Sequence, residues 1–373
     1  MIDEKAPCGA FFFLERRSRV GGMRSLLLSI PFLLFSLPVV AQTAAPDHAV
    51  AFIYHRFGDD RYPSTDTKVS QFSAQLDWLA ANHYQVWPLP QVVQYLKEGK
   101  AIPDHVVAIT VDDAFQSFYD HAYPLLKARG WPFTIFVSTG SVDSKSSDFM
   151  TWDELREMAQ HGANYGDHTV DHGHLPFRLK GETDMAWADR TRADIEDAQA
   201  RLQAELGKDT NTAPKLFAYP YGEFSEELAK LVNGLGYVAF GQQAGVMSAP
   251  LDARALPRFP IDEHYGDIQG FALRAAALPL PIVALQPWDP ELRGNNPPRL
   301  EVGLTPGAVP ADALHCYLNG PEMRVEWLDA AKSRFALKTD APIPEGRGRY
   351  NCTASVGGRY YWYSHMWLQP PAY

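Results

Sequence analysis

The chain has 373 residues, of which 46% are hydrophobic, 21% charged and 12% aromatic, a composition typical of a globular protein with room for two domains. Its formal net charge is −10, which makes it a poor partner for nucleic acid or for anionic lipid headgroups. The composition therefore favours a neutral or cationic substrate.

The N-terminal segment, residues 1–41, is predicted to be a signal peptide. Several arginines precede the apolar run Leu26–Val40, and small residues follow at a cleavage site. The run is short and broken by proline, although an uncleaved anchor is the alternative. Removal of this segment takes away five basic and three acidic residues and moves the net charge to −12. We expect a periplasmic or extracellular protein with no membrane span after cleavage.

Between residues 48 and 282, short β-rich runs alternate with amphipathic helical stretches. The predicted helices are Ser70–Asn82, Asp184–Leu206 and Ser225–Gly234. The predicted strands are Ala49–Tyr54, Val106–Val111, Phe133–Val137, Leu216–Tyr219 and Tyr237–Gly241. This alternation is typical of parallel βαβ units and indicates an α/β fold, open or barrel-shaped.

The alternation stops near residue 278, and residues 283–299 are predicted to be a proline-rich linker. Residues 300–373 then form short strands separated by turn residues, the pattern of a small all-β sandwich. Its cysteines, Cys316 and Cys352, are expected to form a disulfide, with two free thiols as the alternative. Its many aromatic residues fit either a glycan-binding surface or a face packed against the first domain. We expect this domain to be dispensable for chemistry.

Two adjacent carboxylates, Asp112 and Asp113, follow the strand Val106–Val111. Their repulsion is tolerable where a cation or a shared proton compensates, although a solvated loop is the common reason for such a pair. Farther along the chain, His168 and His172 are four residues apart and can face one metal. One carboxylate and two histidines together make the three-ligand set of a hydrolytic zinc site, whose fourth position holds water.

These residues carry a resemblance to the polysaccharide deacetylase family with the NodB homology domain, a group of carbohydrate esterase family 4 type. Thr110–Ala114 resembles the family's Thr-Phe-Asp-Asp-Gly, and His168–His172 matches its His-Ser/Thr-x-x-His. Pro220–Gly222 matches the end of its third motif, Pro-Tyr-Gly. The resemblance covers residues 48–282 and implies a distorted (β/α) barrel with the site at the C-terminal ends of its strands.

The resemblance also implies roles for individual residues. Asp113, His168 and His172 would bind a divalent metal, most simply Zn²⁺. Asp112 would be the general base, and Tyr221 would offer its backbone N–H to the oxyanion of the reaction.

The sequence departs from the family pattern in three places. Ala114 stands where the family has glycine. Ala218 stands where the third motif has an arginine beside the base, and Arg258 is a candidate substitute. The family's last motif, which supplies a histidine as general acid, has no counterpart near residue 285. His55, at the end of an early apolar strand, resembles the permuted layout of bacterial poly-N-acetylglucosamine deacetylases and is our candidate acid.

The sequence thus predicts a metal-dependent hydrolase that removes N-acetyl groups from an amino-sugar polymer, such as poly-N-acetylglucosamine, a chitin-like chain or peptidoglycan. The alternatives are a catalytically silent carbohydrate-binding protein on the same scaffold and a polysaccharide O-acetyl esterase. The expected partner is an acetylated polysaccharide, with no role for nucleic acid; the sequence indicates no protein partner.

Overall fold

The computed structural model describes residues 47–207 and 214–371. The predicted signal peptide, residues 1–41, lies outside these ranges. Among the helices of the described ranges, none combines the length and the apolar character that crossing a membrane requires.

The first part of the described chain is a curled, mostly parallel sheet of the distorted (β/α) barrel type, which confirms the predicted fold class. In chain order its strands and a short flanking pair (β2 and β3) are β1 (His48–Tyr54), β2 (Arg56–Phe57), β3 (Asp66–Thr67), β4 (Gln85–Val86), β5 (Val106–Asp112), β6 (Phe133–Val137), β7 (Ala163–Asp167), β8 (Lys215–Ala218), β9 (Tyr237–Phe240), β10 (Met247–Ser248) and β11 (Phe259–Pro260). The spatial order is β10-β1-β5-β6-β7-β8-β9, with β11 also beside β1 and β4 beside β5. Within this sheet β10 is antiparallel to β1.

Helices connect the parallel strands and cover the sheet. They are α1 (Val69–Ala81), α2 (Leu89–Glu98), α3 (Tyr123–Arg129), α4 (Thr139–Asp143), α5 (Trp152–Ala159), α6 (Asp184–Leu206), α7 (Glu226–Gly234) and α8 (Ile268–Ala275). Thr151 and Glu154 form a capping box at the start of α5. Ser225 accepts a hydrogen bond from the backbone N–H of Leu228 and so caps α7.

The two central strands, β1 and β5, are buried along almost their whole length. Parallel strands have both faces covered, so these strands are continuous apolar runs without polar alternation. The one charged side chain of β5, Asp112, lies where the strand ends, which is where the candidate site lies.

The C-terminal part consists of two sheets that share one hydrophobic cluster. Its strands are β12 (Leu278–Pro279), β13 (Ile282–Gln286), β14 (Arg299–Leu304), β15 (Leu314–Leu318), β16 (Glu322–Met323), β17 (Glu326–Trp327), β18 (Arg334–Lys338), β19 (Gly346–Val356) and β20 (Arg359–Gln369). One sheet has the order β12-β20-β19-β15-β16, and the other β13-β14-β18-β17. Cys316 and Cys352 are opposite each other on β15 and β19 and form the expected disulfide.

The expected linker differs from the structure at its N-terminal end. Strand β13 spans residues 282–286 and pairs with β14 in the four-stranded sheet. Proline does not prevent this because β13 is an edge strand and its run, Ile-Val-Ala-Leu, is apolar. The domain boundaries at residues 282 and 300 stay predictions.

The sandwich packs directly against the barrel. The ring of Trp362 on β20 lies edge-on to Phe259 on β11, with ring centroids 5.1 Å apart. Arg359 forms an ion pair with Asp104 at 2.7 Å. Trp362 thus packs against the first domain, which is one of the two interpretations offered for the aromatic residues. Tyr360, two residues earlier on the same strand, is half-buried.

Candidate active site

The candidate residues meet at one rim of the barrel because they follow the C-terminal ends of parallel strands. His55 directly follows β1, Asp112 ends β5, and His168 directly follows β7. Tyr221 lies in a short 3₁₀ turn just after β8. Neighbouring parallel strands end at the same edge, so side chains distant in sequence are brought together there.

Asp112 and Arg258 form a buried, two-pronged ion pair. The guanidinium nitrogens donate to the two carboxylate oxygens at 2.7 and 2.8 Å, and neither side chain is exposed. Burial alone raises the pKa of Asp112, but the charges of Arg258 and His168 outweigh it and hold the pKa below its usual value. Arg258 thus lies where the sequence analysis expects a substitute for the missing arginine.

The backbone after Asp112 turns through the left-handed region. Asp113 has φ = 73° and Ala114 has φ = 60°. Glycine adopts this conformation without strain, which explains why the family motif has glycine at the position of Ala114. Ala114 is fully buried there, so its strained backbone is held by the surrounding core.

The side chains of Asp113, His168 and His172 converge on one point. Their ligand atoms lie within 4.8 Å of one another, and Asp113 Oδ1 is 3.2 Å from His168 Nε2 and 3.0 Å from His172 Nε2. The Nδ1 atom of His168 is 2.8 Å from the carbonyl oxygen of Ala218. This contact orients the ring so that Nε2 faces the cluster.

These three residues fit a divalent metal. Asp113 Oδ1 and His168 Nε2 are buried, and neither has a hydrogen-bond partner within the described ranges. Burial alone raises the pKa of Asp113, but the two histidines lower it well below its usual value, so the carboxylate is ionised. Two imidazoles and one carboxylate, with room for a fourth ligand, are the donor set of catalytic zinc sites.

The loop carrying the histidines is fixed by hydrogen bonds to carboxylates. Asp194, on α6, accepts from the backbone N–H groups of Val170 and Asp171 at 2.8 and 3.1 Å. Asp167 accepts from the N–H of Thr169 at 2.8 Å. Burial raises the pKa of Asp167 to about 7. The loop is thus held from two sides.

His55 is half-buried beside the acid pair. Burial lowers its pKa, while the charges of Asp113 and Asp112 act in the opposite direction. Tyr54 pairs with Val111 on β5, so His55 and Asp112 follow in register at the same edge of the sheet.

Tyr221 is positioned by an unusual backbone turn and by its ring. Its φ is 58°, and its backbone N–H has no acceptor within residues 47–207 and 214–371. The ring lies edge-on to His172, with centroids 4.6 Å apart. A free N–H beside a metal donor set is suited to hold a developing negative charge.

Comparison with known proteins agrees with this geometry. Residues 99–240 match the family described as polysaccharide deacetylase. This segment of the chain is thus similar to polysaccharide deacetylases. The solved structure of IcaB from Ammonifex degensii, 28% identical, superposes with a TM-score of 0.53 and covers 62% of this chain and 99% of that one.

Two curated proteins to which the chain is similar are both described as poly-beta-1,6-N-acetyl-D-glucosamine N-deacetylase. The protein from Escherichia coli K12 is 26% identical over 54% of this chain and 34% of its own length. The protein from Staphylococcus aureus MRSA252 is 29% identical over 50% of this chain and 63% of its own length. The chain thus spans less than two thirds of the length of either relative.

The candidate site also contains two residues to which the sequence analysis assigns no role. His174 Nδ1 is 2.6 Å from the carboxylate of the buried Glu223, and its ring stacks on Tyr221 with centroids 4.2 Å apart. Arg347, on β19 of the sandwich, donates a hydrogen bond to the carbonyl oxygen of Tyr221. It is also 3.8 Å from Glu223. The sandwich therefore touches the turn that carries Tyr221, and its dispensability for chemistry stays a prediction.

No sequence signal marks Arg347, because it lies on a strand of another domain and matches no motif. For His174 a signal existed. It follows His172 by two residues, and a glutamate stands directly after the Pro-Tyr-Gly motif. A charged residue next to a catalytic turn is a reasonable partner for an unassigned histidine nearby.

Proposed function

We propose that this chain is a divalent-metal-dependent hydrolase that removes N-acetyl groups from an amino-sugar polymer. The observation that carries the proposal is the metal-type donor set of Asp113, His168 and His172 beside Asp112, a carboxylate that Arg258 keeps ionised. Zn²⁺ is the metal that best suits two imidazoles and one carboxylate.

A divalent metal held by these three residues would lower the pKa of water and polarise the amide carbonyl group. Asp112 accepts the proton that the attacking water gives up, and its low pKa keeps it ready to do so. The Tyr221 N–H then donates to the oxygen that becomes negative when the carbonyl carbon turns tetrahedral.

The amine of the sugar is a poor leaving group unless it is protonated as the C–N bond breaks. We assign this proton to His55, which follows β1 beside the end of β5, where Asp112 lies. His174 is less suited to this task because Glu223 and the Tyr221 ring already fix its position.

For the substrate we propose poly-β-1,6-N-acetylglucosamine, because the two curated relatives are described as deacetylases of this polymer. Such a polymer lies outside the cytoplasm, which agrees with the signal peptide predicted for residues 1–41. The chain would then act in the periplasm or outside the cell.

The test is an assay of acetate release from a panel of acetylated polymers: poly-β-1,6-N-acetylglucosamine, chitin oligomers, peptidoglycan glycan and O-acetylated xylan. We expect release from the first, loss of activity with chelator, and recovery with Zn²⁺. Preferential release from xylan would favour the O-acetyl esterase, and binding of all polymers without release would favour the silent carbohydrate-binding protein.

Metal content is measured in parallel on Asp113→Asn. We expect this variant to lose both metal, by elemental analysis, and activity, because a neutral amide is a weak ligand for Zn²⁺. The matched control is Asp171→Asn, an exposed acid in the histidine loop that offers no ligand atom to the cluster. Full metal occupancy in Asp113→Asn would refute the ligand assignment.

A further inference from the structure

A cleft with a volume of about 460 Å³ lies apart from the candidate active site, between the barrel and the outer face of the five-stranded sheet. Helix α8 and the loop before it form one wall, and strands β15, β19 and β20 form the other. Aromatic rings line both walls, among them Tyr265, which is 48% exposed, with Tyr317, Tyr360 and Trp362 opposite. Flat rings of this kind stack on the apolar faces of sugars.

One face of β19 runs from the turn that carries Tyr221 to this cleft. Alternate residues of a strand face the same side, so Arg347, Arg349, Asn351 and Thr353 form a row on the outer face. Arg347 donates to the Tyr221 carbonyl oxygen in the catalytic turn, and the next three residues line the cleft. Successive members of the row are spaced by roughly 6.6 Å.

The cleft offers hydrogen-bond donors that have no acceptors. Arg349 has no hydrogen-bond or ion-pair partner in the part of the chain that the structure describes, and burial lowers its pKa. Trp362 Nε1 is likewise buried without a partner in that part. The Oδ1 atom of Asn351 accepts from Ser364 Oγ at 2.5 Å, which leaves the amide N–H groups for a ligand.

The charge of the cleft is opposite to that of the whole protein. Its lining includes Arg274 and Arg349 but no aspartate or glutamate, whereas the chain has a net charge of −10. Acetamido carbonyl and hydroxyl oxygens would satisfy these donors, because a guanidinium presents several N–H groups at once. A sugar with a free ammonium group would be repelled and could not accept a bond through its nitrogen.

We propose that this cleft binds an N-acetylated stretch of the glycan next to the reacting sugar and discriminates against a stretch that is already deacetylated. This inference rests on the proposed function and adds a specificity site to it. It also predicts that a chain becomes a poorer substrate as its acetyl groups are removed, so the product is only partly deacetylated.

The test compares two probes: a β-1,6-linked N-acetylglucosamine pentamer and the same pentamer fully deacetylated. Binding is measured by calorimetry on the metal-loaded full chain carrying Asp112→Asn, which prevents turnover. We expect the acetylated pentamer to bind at least about 10-fold more tightly, the effect of a single charge-assisted hydrogen bond. Equal affinity for the two pentamers would overturn the proposal.

Two cleft variants then locate the site. Arg349→Met and Tyr360→Ala should each weaken binding of the acetylated pentamer by about 5- to 10-fold. The control is Arg334→Met, an exposed arginine on the other sheet. Unchanged affinity in both cleft variants, with melting temperatures like that of the control, would also overturn the proposal. Loss of folding in one variant leaves the other to decide.

Kinetics on the otherwise unmodified enzyme separates this proposal from the proposed function. Arg349→Met should raise KM for the pentamer more than KM for a disaccharide, because a pentamer places more sugars in the cleft. If no polymer releases acetate but the pentamer still binds through Arg349, the proposed function fails and the cleft assignment stands. If acetate is released but KM for the pentamer does not change, the cleft assignment alone fails.

Discussion

Arg258 and Asp112, 146 positions apart in the chain, are joined by two parallel hydrogen bonds and are both completely buried. A planar guanidinium matches the two oxygens of a carboxylate, which fixes the orientation of the Asp112 side chain as well as its charge. Arg258 also donates to the carbonyl oxygen of Gly241 at 3.0 Å, so the pair is anchored to the end of β9.

Replacement of Arg258 by methionine should raise the pKa of Asp112, because burial would then act without the opposing charge. The acid limb of the kcat/KM profile reports protonation of the base, so it should move to higher pH. Breaking a buried pair should also destabilise the fold by about 3–5 kcal/mol. Arg254→Met, which removes a surface pair with Asp252, is the matched control. An acid limb at the same pH as in the wild type would show that Arg258 does not control the pKa of the base.

His55→Ala should lower kcat by about 10²- to 10⁴-fold and leave metal content unchanged, because the residue donates a proton and holds no metal. It should also flatten the alkaline limb of the pH–rate profile, which reports loss of the acid's proton. Burial lowers the pKa of His55, so this limb should lie at a lower pH than an exposed histidine would give. His174→Ala is the comparison. A larger fall in kcat there, with normal kcat in His55→Ala, would transfer the role to His174.

Arg347→Met tests whether the sandwich supports the chemistry. The variant loses the hydrogen bond to the Tyr221 carbonyl oxygen, so the turn that presents the Tyr221 N–H should become less well positioned. We expect kcat for a disaccharide to fall by about 10-fold with little change in KM, since the effect is on the transition state. Arg324→Met, an exposed change elsewhere on the sandwich, should have no effect. A rise in KM with constant kcat would indicate a binding role instead.

His365 should make the stability of the chain depend on pH. Burial lowers its pKa from 6.5 to about 3, and its Nε2 atom has no partner within the described ranges. Above pH 6.5 the imidazole is neutral in both states. Between pH 6.5 and about 3 the unfolded chain binds a proton that the folded chain does not. The free energy of unfolding should therefore fall by about 1.4 kcal/mol for each unit by which the pH is lowered through this range.

Denaturant unfolding at several pH values tests this prediction. His365→Phe should remove that part of the slope, because phenylalanine does not titrate. His315→Phe, at a half-exposed position on the same domain, is the control and should retain the slope. The same slope in wild type and His365→Phe would show that His365 is protonated in the folded state.

The sequence predicts the local parts of the site well because each motif combines a strand end with its own side chains. Asp112 and Asp113 follow a continuous apolar strand, and His168 and His172 lie in one short loop, so their spacing already constrains where they point. Arg258 could be proposed only because this sequence has Ala218 where the family pattern has an arginine. The geometry of its pair with Asp112 depends on how β9 and the segment leading to β11 pack near β5. A short stretch of sequence does not indicate such packing between distant segments.

The parts that sequence reasoning could not find are contacts between distant segments. Arg347 and Tyr221 are 126 positions apart, and neither the strand pattern of the sandwich nor the Pro-Tyr-Gly motif indicates that they meet. The strand β13 was likewise obscured by neighbouring prolines, which are typical of linkers as well as of edge strands.

Trp362 and Met366 lie on β20, the last strand described, and yet they pack against clusters whose other members belong mainly to the barrel. During synthesis, the ribosome must therefore complete nearly the whole sandwich before those clusters can close. A nascent chain that stops anywhere within the sandwich would leave apolar barrel surface exposed to water and to other chains. Truncating nonsense mutations in this region should thus be detected first as insoluble protein, before any defect in turnover can be measured.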